Sequence, residues 1–578
     1  MPLVNRTFDQ LIDFTRTTAG TYVDSTGKIV NTPASRNLLT FTQQFDNAAW
    51  TKSNATVTAN TSVAPDGTTT ADLLVPNTSS VNHAIQQSVT TSSTVVISVY
   101  AKAAGYDRLA FSSNNNNYVY FNLSSGTVES SLGTGWTAAS ITAVGNGWYR
   151  CQAATATAQT RYDFLPFNAA QTNGNTAPTF AGDGTSGILI WGAQLEQASA
   201  ATDYTRNVGG LFPPRFDYDP VTLAPRGLLI EEQRVNLFTY SEQFDNAVWV
   251  KGAGYNSTIT ANSTTAPDGT LTADTLVADS AGGTGSVMVA RAQAVTSGVF
   301  YTLSFFAKAS TLSWIRLFLL NYTSPGNGGA YFNLSGSGSV GTVDAGYTAT
   351  IAAHANGWYR CTLSFTAGSS VTGEMRLLLA NANNDTAVAR NGTSSAFIWG
   401  AQLEAGAFAT SYIPTVASQV TRAADVAAIT GPNFTPWYNQ SAGTFVVEAD
   451  SGVNVSLSVY VASSANDGTA DNRINTFNYN GKWGAQARVA TVDQFDLQQN
   501  GSYTANVPAK IAVAYATNDI AVSVNGNTAL TDTSASLPTV NQLALGRIIN
   551  SNYLNGHIRS IRFYPSRLTN AQLQALTA

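Results

Sequence analysis

Asn146-Gly147-Trp148-Tyr149-Arg150-Cys151 returns unchanged as Asn356-Gly357-Trp358-Tyr359-Arg360-Cys361, and this pair decides the reading of the chain. Five further matches surround it in the same order. Phe45-Asp46-Asn47-Ala48-Ala49-Trp50 pairs with Phe244-Asp245-Asn246-Ala247-Val248-Trp249, and Ala64-Pro65-Asp66-Gly67 with Ala266-Pro267-Asp268-Gly269. Ala101-Lys102-Ala103 matches Ala307-Lys308-Ala309, and Tyr120 to Leu123 matches Tyr331 to Leu334. Trp191-Gly192-Ala193-Gln194-Leu195-Glu196 closes the first series and the identical hexapeptide Trp399 to Glu404 the second. Ordered matches at a drifting spacing of about 200 residues mean a duplicated domain with loop insertions.

Each copy spans about 165 to 185 residues, enough for a sandwich of eight or more strands. Thr94 to Tyr100 and Phe300 to Phe306 are β-branched and aromatic, and Gly, Pro or Asn clusters bound most such runs. Neither copy has a convincing helical period. Composition agrees. Of 578 residues 44% are hydrophobic but only 11% charged, less than half the usual share; Thr, Ser, Asn, Ala and Gly take up the difference. The fold class expected is all-β, with two homologous jelly rolls and a third, different sandwich.

The formal net charge is -5 and no Lys/Arg cluster occurs, so a nucleic-acid partner is not expected. No apolar run reaches the length of a spanning helix, and no secretory signal is visible at Met1 to Arg6, so neither membrane insertion nor export by a leader is expected. Cys151 and Cys361 occupy equivalent places in the two copies and read as small buried core residues.

Five segments follow: an N-terminal hairpin and attachment segment (1–36), a first jelly roll (37–207), a Pro-rich strap (208–234), a second jelly roll (235–422) and a last sandwich (423–578). Thr21 to Asp24 and Lys28 to Val30 flank a Ser-Thr-Gly turn and read as a hairpin. Pro213, Pro214, Pro220 and Pro225 forbid a helix in the strap. The first jelly roll looks inserted between hairpin and strap, which are expected to meet in space. In the last sandwich Gly443 to Ala449, Lys510 to Tyr515 and Ile520 to Asn525 read as strands, and Thr569 caps a short terminal helix.

Val524-Asn525-Gly526 and the strand Gly556 to Tyr564 resemble elements of concanavalin-like (laminin G-like) jelly rolls. Asn236 to Asp245, Ala-Pro-Asp-Gly and Asn-Gly-Trp-Tyr-Arg resemble carbohydrate-binding-module-like domains of tailed-bacteriophage tail-fibre, spike and head-fibre proteins. The resemblance implies a virion structural protein, made in the host cytoplasm, that contacts other virion proteins and host cell-surface glycan as a homo-oligomer, a trimer by preference. No heptad run supplies a trimer stem. The alternatives are a purely structural decoration or connector protein, and the accessory binding modules of a glycan-processing enzyme.

The chain is read as no enzyme. His83, His354 and His557 fall in three different domains with no partner His or Cys at ligand spacing. Glu196, Glu404, Asp46 and Asp245 recur in both copies, as residues of a fold do, and lack an obvious partner acid. Carbohydrate-binding jelly rolls hold structural Ca²⁺, which makes Asp66 with Asp72, and Asp268 with Asp274, calcium candidates; a Pro-Asp-Gly turn needing no ion is the preferred reading. No other cofactor is expected. Trp437, Tyr438, Tyr479 and Trp483, at a Pro-flanked boundary and a hairpin turn, are the candidate platforms for a sugar ring.

Overall fold

The computed structural model describes residues 11–578 except 36, 92–93, 115–116, 130–131, 169–176, 370, 453–458 and 550. Residues 1–10 of the expected attachment segment lie outside the described residues. The chain divides into two compact units, Met1–Thr17 with Ala34–Pro213 and Ala427–Pro436, and Thr18–Pro33 with Pro214–Val426 and Trp437–Ala578. It is all-β apart from short turns of 3-10 helix and one described α-helix, Asn570–Thr577.

The first unit holds the first sandwich. One sheet runs, edge to edge, Trp136–Gly145, Trp148–Thr155, Val95–Ala104, Gly187–Glu196, Ala71–Pro76, Ala55–Ser62. The second unit repeats this order with Tyr347–Ala353, Trp358–Thr366, Phe300–Ala309, Ser395–Ala405, Ala273–Ala278 and Ser257–Thr264. The facing sheets correspond as well, strand for strand, except that the first copy adds the edge strand Thr51–Ser53. Tandem homologous β-sandwiches are therefore established by topology as well as by sequence.

The repeated motifs are the parts that close each sandwich. Phe45 and Trp50 are buried with ring centroids 4.9 Å apart, and Phe244 and Trp249 with centroids 4.8 Å apart. Burying one such ring contributes about 1.5–3 kcal/mol. Asn146 and Gly147 both have positive φ (52° and 77°), as do Asn356 and Gly357 (59° and 78°), which an Asn-Gly turn supplies without steric cost. The Trp after each turn donates its indole N–H across the sheet, Trp148 to Val63 O and Trp358 to Thr265 O. Cys151 and Cys361 are fully buried and unpaired.

In Trp-Gly-Ala-Gln-Leu-Glu the strand register slips between Trp191 and Gln194. Gly400 stands at φ 64°, and a Cβ there would lie 2.8 Å from the Phe306 ring. Beyond the bulge, Gln and Glu grip the next loop: Gln402 Oε1 accepts from Ile413 N and Glu404 Oε2 from Thr410 N. Gln194 and Glu196 hold Thr205 and Thr202 in the same way.

The last sandwich takes strands from distant parts of the chain. One of its sheets runs Arg215–Tyr218, Pro225–Ile230, Gly556–Tyr564, Ala442–Ala449, Ala509–Ala516, Ile520–Val524, Leu530–Asp532. The strap is thus itself a β-hairpin, with Leu228 opposite Ile558 on the C-terminal strand. The second sheet holds Gln542–Leu545, Val459–Asn466, Arg473–Tyr479, Lys482–Val489 and Val492–Gln499. Helix Asn570–Thr577 has a capping box from Thr569 and Gln572 and packs Leu573 on Val446 and Ala512.

A buried ionic knot joins these parts of the second unit. Arg215 on the strap reaches Glu231 (2.8 Å) and Asp425, and donates to Thr21 O of the N-terminal hairpin (2.9 Å) and Ser411 Oγ of the second sandwich (2.7 Å). Arg422 stands behind the same two carboxylates, 3.6 Å from Glu231 and 3.8 Å from Asp425. Val23 N adds a bond from the hairpin to Asp217 Oδ1 of the strap (2.6 Å). Two cations and two anions balance, so each charge is compensated where water is excluded. Truncating one member leaves a charge buried and unpaired: Arg215→Ala is expected to cost about 3–5 kcal/mol in denaturant unfolding of the second unit.

Candidate functional site

In the second unit a cleft of about 490 Å³ opens over the outer face of the sheet that carries the Asn-Gly-Trp-Tyr-Arg strand. Its floor is a block of hydroxyls on two neighbouring strands, with Thr348 opposite Ser364 and Thr350 opposite Thr362. Period-two alternation puts these residues on one face while Leu363 and Phe365 point to the core. Tyr22 and Phe408 add half-buried rings, and Asn506, Asn555 and His557 enter from the last sandwich.

The hydroxyl block is not required by the sandwich. The equivalent positions of the first copy, fixed by register from the shared Trp and Arg, are Ala138, Ser140, Gln152 and Ala154. His354 stands one turn before Trp358, where the first copy has Val144. Its ring meets the edge of Phe306 at 5.5 Å, and Nδ1 is buried without a hydrogen-bond partner. Burial first, and the neighbouring Arg360 second, push its pKa down to about 4, so the ring is neutral near pH 7. Arg360 donates to Thr410 O (2.6 Å) and Ser304 Oγ (3.1 Å) and forms no ion pair among the described residues. Arg150 makes the same two bonds in the first copy, which marks this arginine as part of the fold.

The far wall is a buried triad. His557 Nε2 lies 2.9 Å from Asp217 Oδ2 of the strap, and Nδ1 lies 2.9 Å from Asp450 Oδ1. Burial opposes its charge, but the bonds to Asp217 and Asp450 outweigh that and raise the pKa to about 9. Sequence assigned the three histidines to separate domains; two of them, His354 and His557, line one cleft. His83 is held between Asn54 O and Phe180 O and belongs to the first sandwich.

The aromatic candidates take other places. Trp483 is fully buried, its ring near Tyr503, and offers no face to a sugar; the hairpin turn expected there is present, but its tryptophan points inward. Tyr479 packs beside Val461, Phe477 and Ile548. Trp437 and Tyr438 join Phe445, Tyr515 and Phe563 in a ring cluster that closes one end of the sandwich. The four residues fall in three packing groups and build no common platform. Amphipathic rings at turns serve packing as readily as ligands, and sequence alone does not separate the two uses.

The calcium candidates have hydrogen-bonding roles. Asp66 and Asp268 each accept from the Thr two residues on, closing the Pro-Asp-Gly turn. Asp72 and Asp274 each accept two backbone N–H groups, Asp274 from Phe244 and Asn262 at 2.9 Å each. Among the described residues no group of three or more His, Cys, Asp or Glu is arranged to hold a metal, and Ca²⁺ takes six to eight oxygens. Glu196 and Glu404 are buried and accept from Thr202 and Thr410.

No family model matches the chain, and no curated protein matches it. Among solved structures it is similar to the CBM40 domain of a Ruminococcus gnavus IT-sialidase bound to α2,3-sialyllactose, with 16% identity over 25% of this chain and 88% of that one, at a TM-score of 0.23. The tandem CBM22-1–CBM22-2 domains of Paenibacillus barcinonensis Xyn10C match at 12% identity over 65% of this chain and all of theirs (TM-score 0.21). Domains LG4-5 of the mouse laminin α1 chain match at 11% identity over 47% of this chain and 84% of theirs (TM-score 0.17).

Two outcomes are expected. Asp274→Ala strands two backbone donors and lowers stability by about 1–3 kcal/mol in urea unfolding, whereas Asp268→Ala changes it by less than about 1 kcal/mol. The raised pKa of His557 stabilises the fold fully below about pH 6.5, its unfolded value, and this contribution is lost as pH rises through about 9. Melting temperature scanned from pH 6.5 to 10 should therefore fall more steeply in the wild type than in His557→Gln.

Proposed function

We propose that this chain is a non-enzymatic structural protein of a bacteriophage particle, a tail fibre, spike or head fibre, and that it binds host surface carbohydrate. The hydroxyl-floored cleft of the second sandwich carries the binding part of the reading. A sugar offers several hydroxyls and one apolar face, and it is met by hydroxyl, amide and imidazole groups beside a few rings. Thr348, Thr350, Thr362 and Ser364 with Asn506 and Asn555 supply the first kind of contact, and Tyr22 and Phe408 the second. That the first copy keeps the fold with Ala, Ser, Gln and Ala at the floor supports a role other than folding.

The virion part rests on the resemblance of Asn236 to Asp245 and the Asn-Gly-Trp-Tyr-Arg segments to phage fibre modules, with low charge and dense Thr, Asn and Gly suited to a particle outside the cell. Other virion proteins and further copies of this chain, three by preference, are the partners in this reading. The absence of chemistry in it is supported by the engaged state of the duplicated acids, Glu196 and Glu404, each bonded to a threonine of its own copy, and no cofactor enters it.

Thr350 is exposed in the cleft, and Thr350→Trp fills the floor without touching the core. Binding of the full chain to host cells and to an array of bacterial surface glycans is expected to fall at least about tenfold in this variant, a loss of about 1.4 kcal/mol. Wild-type chain that binds neither cells nor any glycan would favour the purely structural reading instead.

A further inference from the structure

The duplication allows one face to be compared in two states. In the second copy, Phe306, Trp358, Trp399 and Tyr412 form an aromatic cluster on the sheet, and Ile29 of the N-terminal hairpin packs on it. Ile29 N donates to Pro267 O (3.1 Å), Thr21 Oγ1 donates to Tyr412 O (2.5 Å), and Arg215 donates to Ser411 Oγ (2.7 Å). Under this cover Phe306 and Tyr412 are 2% and 3% exposed.

The first copy has the same cluster in Tyr100, Trp148, Trp191 and Tyr204, with Tyr100 and Tyr204 only partly buried. Pro65 is likewise half-buried where Pro267 is buried. No described residue donates to Pro65 O or Tyr204 O, the two carbonyls that the hairpin satisfies in the other copy. Asp203 stands exposed in the place of Ser411 and forms no ion pair among the described residues. Val144, in the place of His354, is 43% exposed, and Val63, beside the Pro-Asp-Gly turn, is 56% exposed. The covered copy has Phe306 where the open copy has Tyr100.

From this we infer that the outer face of the first sandwich is a docking site for a β-hairpin of another protein, one that carries an aliphatic side chain in the place of Ile29 and a cation to meet Asp203. The chain's own hairpin is already seated on the second copy, which makes a hairpin of another protein the proposed occupant. The matched set of a hydrophobic patch with two carbonyls and one carboxylate that have no such partners among the described residues prescribes what that occupant must present.

A head-to-tail cyclised peptide of residues 18–33 is the probe, because this hairpin is seated on the matching cluster of the second copy. The cation of that seat, Arg215, lies on the strap, so the probe tests the aliphatic and carbonyl contacts; cyclisation offsets the marginal stability of an isolated hairpin. Titrated against the full chain, it is expected to bind saturably at one site. Binding should weaken at least about tenfold in Tyr100→Glu and in Val63→Glu, and with an Ile29→Asp peptide. Val63 is a surface residue, so its variant keeps the test valid if Tyr100→Glu melts early. Absence of saturable binding to wild type overturns the proposal. So does binding that both chain variants leave unchanged, since the peptide is then exchanging into the second copy. A glycan whose binding is lost in Tyr100→Glu, with no peptide binding, overturns it in favour of a sugar site, and leaves the cleft reading to stand or fall on Thr350→Trp.

Discussion

Arg215 is the residue around which the second unit is assembled. A fully buried guanidinium needs its charge compensated, and here both terminal nitrogens are engaged by groups from four separate stretches of chain. Thr21 comes from the N-terminal hairpin, Glu231 from the strap, Ser411 from the second sandwich and Asp425 from the connection to the last one. The planar guanidinium sends one terminal nitrogen to Glu231 and the other to Asp425, which fixes the directions of these contacts. The strap is thereby held where it can pair with the C-terminal strand, and the cleft acquires its walls.

The comparison of two copies separates what a sandwich needs from what this one adds. Phe-Asp-Asn, Thr-Ala-Asp, Asn-Gly-Trp-Tyr-Arg-Cys and Trp-Gly-Ala-Gln-Leu-Glu do the same work twice: core rings, anchored loops, a tight turn and a bulge. Differences cluster on one outer face. There the second copy carries four hydroxyls and a histidine, and the first carries two alanines, a serine, a glutamine, a valine and an exposed acid.

Much of the architecture was legible because local signals and duplication agree. Asn-Gly marked the hairpins, alternation marked the strands, and ordered matches marked the two copies. The buried cysteines followed from their equivalence. The site was less legible. Trp483 and Tyr479 flank a true turn, yet a strand residue next to a turn points inward or outward according to register, which composition does not reveal. Asn37 went unremarked and Asn236 entered only as the first residue of a resembling stretch, although each ties four backbone groups of its own segment, the bulged strand and the next loop. His354 and His557 are about 200 residues apart, and only the long-range pairing of the strap with Gly556–Tyr564 brings them to one cleft. Thr350 and Thr362 carry no motif at all; their signal lay in the contrast with Ser140 and Gln152.

The pairing of Pro225–Ile230 with Gly556–Tyr564 also orders events during synthesis. The strap leaves the ribosome long before its partner strand, with the whole second sandwich made in between. Until then its inner edge carries open N–H and C=O groups, while its own hairpin pairing, the bond from Val23 N to Asp217 and, once Asp425 is made, the knot around Arg215 restrain it. Contacts of such sequence separation close slowly, because the loop entropy is spent before the pairing rewards it. The last sandwich therefore behaves as a clasp that shuts late, and a chain released short of Gly556 would carry an unpaired strand edge able to capture a neighbour.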